Sequence, residues 1–205
     1  MDLIVATCRV LASRPRLQLL RALQAHPAST VNDLAALVGL PPDVASHQLK
    51  ILGNFQLVQA VPRGRYVHYR LGKTTAVSHP FLRDILAFLH KTLGPHNSTP
   101  CKVWNSGAPE NEAGELIKVF TTYTHLRRLL ILRQLACHGA STPSDLMARV
   151  GMSPAATSRH LVKLQRRGIL CAEGLPPHLW RIATQDVPVL QRRLLDVVTR
   201  ALKPV

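Results

Sequence analysis

Residues 26–52, HPASTVNDLAALVGLPPDVASHQLKIL, recur 112 positions later as HGASTPSDLMARVGMSPAATSRHLVKL at 138–164, with 13 of 27 positions identical and no gap. A gapless repeat of this kind makes the same local structure form twice. The flanks agree in pattern, since LLRAL at 19–23 mirrors ILRQL at 131–135. The 205 residues are enough for two domains of about 100 residues each. The expected division is residues 1–93, a linker at 94–112 rich in Pro, Gly, Asn and Ser, and residues 113–205. Val103 and Trp104 are candidates for docking that linker onto a domain.

One copy can be read as structure from its spacing. Leu3, Val10, Leu17 and Leu20 give 3–25 a helical period that Pro15 interrupts, so two helices or one broken helix are expected. Thr30 is an N-cap with Asp33 as its capping-box partner. Thr142, Pro143 and Asp145 repeat that start, with proline at the first helical position, where its missing N–H costs nothing. Gly39 and Gly151 stop these short helices in the left-handed region.

A second helix begins at Pro42 or Pro154. Ala45, Leu49 and Leu52 recur on one face and must point inward, leaving Asp43, Ser46, His47 and Lys50 outside. In the second copy Thr157, Leu161 and Leu164 point inward, and Ser158, Arg159 and Lys163 outward. Helix, glycine turn and helix with a small-polar and basic outer face make a helix-turn-helix. Two strands follow, 57–61 and 67–71 around Pro62-Arg63-Gly64-Arg65, then 169–173 and 179–182 around Gly174-Leu175-Pro176-Pro177. A last amphipathic helix closes each copy, burying Phe81, Ile85, Phe88 and Leu89 in the first and Val189, Leu190, Leu194, Val197 and Val198 in the second. The fold class is therefore mainly α, an α+β winged helix in two tandem copies, each with a two-stranded hairpin wing.

Composition narrows the partners. Apolar residues are 46% and aromatics 4%, which suits small helical cores. The net charge is +15, with 11 Lys and Arg against 4 Asp and Glu in 1–93, and 14 against 5 in 113–205. Both halves are basic, so the excess is not one tail, and basic folded domains attract polyanions, nucleic acid above all. Cys8, Cys101, Cys137 and Cys171 are scattered without a C-x-x-C pair, which argues against a disulfide framework or zinc finger and suits a reducing cytoplasm. Asp2, Arg9 and Arg14 break any secretory apolar core, and no apolar run approaches the roughly 20 residues of a membrane span.

The run ASHQLKILGNFQLVQAVPRGRYVHYRL at 45–71 resembles the signature of the ArsR/SmtB family of winged-helix regulators, and TSRHLVKLQRRGILCAEGLPPHLWRI at 157–182 is a second, more divergent match. The resemblance implies sequence-specific binding of double-stranded DNA, usually as a two-fold dimer, and thus a transcription regulator. A helix fits the major groove, where short polar and basic side chains reach base edges and phosphates. Ser46, His47 and Lys50, then Ser158, Arg159 and Lys163, are the candidates, with Arg159 suited to guanine. Arg63 and Arg65 on the wing would meet the backbone or minor groove; the second tip, Leu175-Pro176-Pro177, lacks such a pair, and His178 and Arg181 lie nearby.

Relatives carry metal on thiolates in the recognition helix or on carboxylate and His pairs of the last helix. No cysteine lies between Asp43 and Leu52, and His79 and His90 lack acidic partners, because Val77 and Leu93 occupy those places. Two histidines alone hold zinc poorly, so no metal or other cofactor is expected. Cys8 and Cys137 are read as buried apolar cysteines rather than a redox pair. No Ser-His-Asp, paired-carboxylate or phosphate-loop arrangement occurs, so no enzyme is expected. In the family the first and last helices form the dimer interface. A linker spanning roughly 25 Å would let the two copies pair within one chain, and a homodimer of two chains is the alternative. RNA polymerase is a further candidate partner. The competing functions are a plasmid-type replication initiator and a protein-interaction scaffold; the basic groups Arg63, Arg65, Arg159 and Lys163 argue against the scaffold.

Overall fold

A computed structural model describes residues 1–94, 110–175, 178–185 and 187–203. The elements are, in order, α1 (Asp2–Leu11), α2 (Arg14–Ala25), β1 (Ser29–Thr30), α3 (Val31–Val38), α4 (Pro42–Asn54), β2 (Val58–Arg63), β3 (Tyr66–Leu71), a 3₁₀ turn (Thr74–Ala76) and α5 (Pro80–Leu93). Then come α6 (Glu110–Thr122), α7 (Leu126–His138), α8 (Pro143–Val150), α9 (Pro154–Gln165), β4 (Leu170–Glu173), β5 (Leu179–Ile182) and α10 (Val189–Leu202). The winged helix-turn-helix order therefore occurs twice. The expected readings of Trp104, Val103 and Cys101, and of the Pro176-Pro177 tip, lie outside the described residues.

Two compact units form, one of Thr7–Thr121 and one of Met1–Ala6 with Thr122–Val205. In the unit of Thr7–Thr121, Ser13 turns extended at φ −140° and Pro15 sits in the first turn of α2, where it needs no donor, so the early helical run breaks into two helices. The core gathers Leu17, Leu20, Leu34, Leu49, Leu52 and Ile85, all essentially inaccessible. β3 is the centre of an antiparallel sheet ordered β1-β3-β2, with Ser29 opposite Tyr69 and Val58 opposite Leu71. The edge strand β1 is absent from the sequence-based reading, because two residues carry no periodic signal. Pairing through Arg63 and Tyr66 leaves only Gly64 and Arg65 in the turn. Phe88 of α5 meets Phe120 of α6 edge to face, with ring centroids 5.8 Å apart.

In the other unit, Leu129, Leu132, Leu146, Leu161, Leu164, Leu194 and Val198 form the core. β4 and β5 pair from Leu170 opposite Ile182 to Glu173 opposite Leu179, and a bridge from Ser141 to Trp180 replaces a third strand. Gln191 of α10 is buried and donates from Nε2 to the Tyr123 hydroxyl at 2.9 Å. Val189, expected inside, is 66% exposed: α10 starts there, ahead of its inward-facing turns. Cys137 is exposed near the end of α7, against the expectation of burial, whereas Cys8 is fully buried and its thiol is pushed up to about 12 by desolvation.

Candidate nucleic-acid interface

Each helix-turn-helix is built by the same local chemistry. The Thr30 hydroxyl accepts from Asp33 N at 3.3 Å, and the Asp33 carboxylate accepts from Thr30 N at 2.9 Å. Thr142 and Asp145 repeat this box at 3.2 and 3.1 Å. These hydrogen bonds hold both carboxyls below the usual aspartate range. Gly39 and Gly151 end α3 and α8 at φ +72° and +67°, a conformation that turns the chain into the next helix and suits glycine.

On α4, Ala45, Leu49 and Leu52 are buried, and Asp43, Ser46, His47 and Lys50 are exposed. On α9, Ala156, Thr157, Leu161 and Leu164 are buried, and Ser158, Arg159 and Lys163 are exposed. Thr157 meets the cost of burial by donating to Ser153 O at 3.0 Å. The Arg159 Nε donates to Ala155 O at 3.2 Å, so its guanidinium lies along the first turn of α9. Each helix thus gathers its three candidate side chains on one solvent face.

The wings differ. Arg63 and Arg65 flank Gly64 at the tip of the first, and both are exposed. Tyr66 beside them is 65% exposed, a large amphipathic side chain that reading by charge alone passes over. In the second wing Arg181 is half-buried and its Nη2 forms an ion pair with Glu173 Oε1 across the hairpin, so its charge is offset. The His178 Nδ1 lies 2.8 Å from Gly174 O.

The histidines of the last helix have other tasks. His79 Nδ1 accepts from Phe81 N at 3.2 Å and caps α5, and His90 Nε2 lies 3.0 Å from Gly72 O. Gly72 is tightly enclosed there, since a Cβ would lie 2.4 Å from Gln56 O. Among the described residues no three His, Cys, Asp or Glu come together as a metal site, and no helix is long and apolar enough to cross a membrane.

Two helix-turn-helix units, each followed by a hairpin and a closing helix, define a tandem winged-helix protein. The model of the family described as bacterial regulatory protein, arsR family, matches residues 14–60 and again 125–170. The chain thus carries two ArsR-type winged helix-turn-helix copies in tandem, the domains of a DNA-binding transcription regulator. No match was found among curated proteins.

Proposed function

We propose that the chain reads double-stranded DNA with both copies, α4 and α9 entering successive major grooves as its two recognition helices. The observation that carries this reading is the matched outer face, Ser46, His47 and Lys50 on one helix and Ser158, Arg159 and Lys163 on the other, all exposed over buried leucines. Short polar and basic groups at these positions suit base edges and phosphates. Arg63 and Arg65 supply backbone contacts beside the first half-site. Arg181, tied to Glu173, contributes less.

Pairing of the copies through their first and last helices, within one chain or between two, would present the half-sites about one helical turn apart. Apolar packing of the Phe88–Phe120 kind, between a last helix and the first helix of the next copy, supports that mode. The capping role of His79 and the hydrogen bond of His90 favour regulation without a metal on α5.

A gel-shift series on duplexes selected from a random pool tests the proposal. Affinity should fall steeply with salt, by about 0.9 in log Kd per phosphate contact for each log unit of salt. Arg159→Ala should weaken binding to the selected duplex by about 1–3 kcal/mol while leaving binding to random duplex nearly unchanged. Equal binding of selected and random duplexes by the native chain would overturn sequence-specific reading.

A further inference from the structure

The third residue of α2 and the third residue of α7 are both arginines, Arg16 and Arg128, at matching places in the repeat. The Arg16 guanidinium ties three points together. Its Nε donates to Val10 O, its Nη2 to Arg9 O at 3.4 Å, and its Nη1 to the Gln48 side-chain oxygen at 2.9 Å. The last carbonyls of α1 have no acceptor role inside their helix, and a cation there also meets the negative end of the helix dipole. One side chain thus joins the end of α1 to the middle of α4. Arg128 repeats the first half of this arrangement: it is buried, and its Nη1 donates to Thr122 O at 2.8 Å, where Thr122 corresponds to Val10. Arg167 adds a bond from Nη1 to the Thr122 hydroxyl at 3.0 Å.

The second half is changed. His160 stands where the first copy has Gln48, and His125 where it has Ser13. Their rings lie 4.8 Å apart, tilted by 53°. His125 Nδ1 accepts from Arg127 N at 3.3 Å and caps α7, which fixes that ring in place. Besides the His125 ring, the charged groups acting on His160 are Arg128 and Arg127 of α7 and Arg159 of its own helix, all three cationic. Burial first, then these cations, hold the imidazole below its ordinary range. A neutral ring fits this site, whereas an imidazolium meets the positive charge of Arg127, Arg128 and Arg159. Gln48 has no such second state.

We propose that Gln48, held by Arg16, and His160, packed on His125, are matched positioning sites that seat the two recognition helices, and that the histidine makes the seating of α9, but not that of α4, respond to protonation. This rests on α4 and α9 being the recognition helices. When a proton enters His160, the ring leaves its place against His125, α9 loses that support against the start of α7, and DNA reading by the second copy weakens.

The full chain supplies its own controls, because the first copy shows which side chains the second tolerates. With a duplex selected at about pH 7.5 as probe, affinity is followed down to about pH 5.5 for the native chain, His160→Gln and His125→Ser. The other histidines are common to the native chain and His160→Gln, so the difference between their profiles isolates His160. The native chain should lose up to about tenfold more affinity over the lowest pH unit, the limit for one linked proton. His125→Ser, which removes the ring packed on His160 and opens it to water, should move the midpoint to higher pH. In parallel, without DNA, the amide resonances of α9 should titrate together in the native chain and lose that midpoint in His160→Gln. Superimposable profiles of the native chain and His160→Gln in both measurements, or acid-strengthened binding confined to the native chain, would overturn the proposal. If no duplex can be selected, DNA reading fails, and the DNA-free titration still decides the protonation step.

Discussion

The two copies agree where the chain has to turn and differ where it meets solvent. Thr30 and Thr142 cap in the same way, Gly39 and Gly151 stop in the same way, and Leu49 and Leu161 fill the same inner position. Outside, Arg159 stands at the repeat position of His47, the exposed Val162 at that of Lys50, and the arginine pair of the first wing is replaced by a hairpin whose one arginine is held by Glu173. Duplicated backbones need the same caps and core, because those are fixed by hydrogen bonding and close packing. Surface side chains cost little to change, so the copies are free to diverge in what they recognise. The comparison teaches that the repeat is kept as a fold while its outer faces have diverged.

The strongest blow to the shared part is to the core. Leu49→Ala and Leu161→Ala should each cost about 2–5 kcal/mol, read by chemical unfolding, through lost burial and the cavity left behind. A much smaller loss in one copy would show that its core closes differently. Next come the reading faces. Arg159→Ala should cost more affinity for a selected duplex than His47→Ala, since a guanidinium can hold guanine through two bonds and can supply about 1–3 kcal/mol of discrimination. Equal losses would make the copies equivalent readers.

The wings differ in salt dependence rather than in base choice. Replacing both Arg63 and Arg65 by alanine should lower the salt slope by about 2, whereas Arg181→Ala should hardly change it, because its charge is already paired. The smallest effects belong to the caps. Thr30→Ala and Thr142→Ala should each cost about 0.5–2 kcal/mol of unfolding free energy near neutral pH. The carboxyls of Asp33 and Asp145 lie lower in the folded chain than in the unfolded one. Their contribution is therefore present above the unfolded value and fades as pH falls through the folded value, so the two threonine variants should converge with the native chain in acid. Alkylation mapped by mass spectrometry separates the cysteines: Cys137 should react in the native chain, and Cys8, whose thiol is buried and raised to about 12, only after unfolding.

Much of the fold was legible because its signals are local. A threonine three residues before an aspartate, a glycine at a helix end, and leucines at a helical period each act within one turn of chain, and all appear at the expected positions in both copies. The outer faces of α4 and α9 followed from the same periods. β1 was not legible, since Ser29 and Thr30 are a strand only by virtue of Tyr69 and His68 beside them. Nor was the fate of Arg181, whose partner Glu173 lies eight residues away across a hairpin.

By itself the sequence determined that one helix-turn-helix fold occurs twice, where its helices begin and end, and which faces are basic. These depend on capping, backbone conformation and the period of apolar residues, all of which act over a few neighbours. Only the tertiary structure decided what the arginines do. Arg16 could be matched to Arg128 by counting, but its grip on Gln48, 32 residues away, and the packing of His160 on His125, exist only once the helices pack. A charge is a property of one residue; whether it is spent on the protein's own carbonyls or offered to DNA depends on what folding brings beside it.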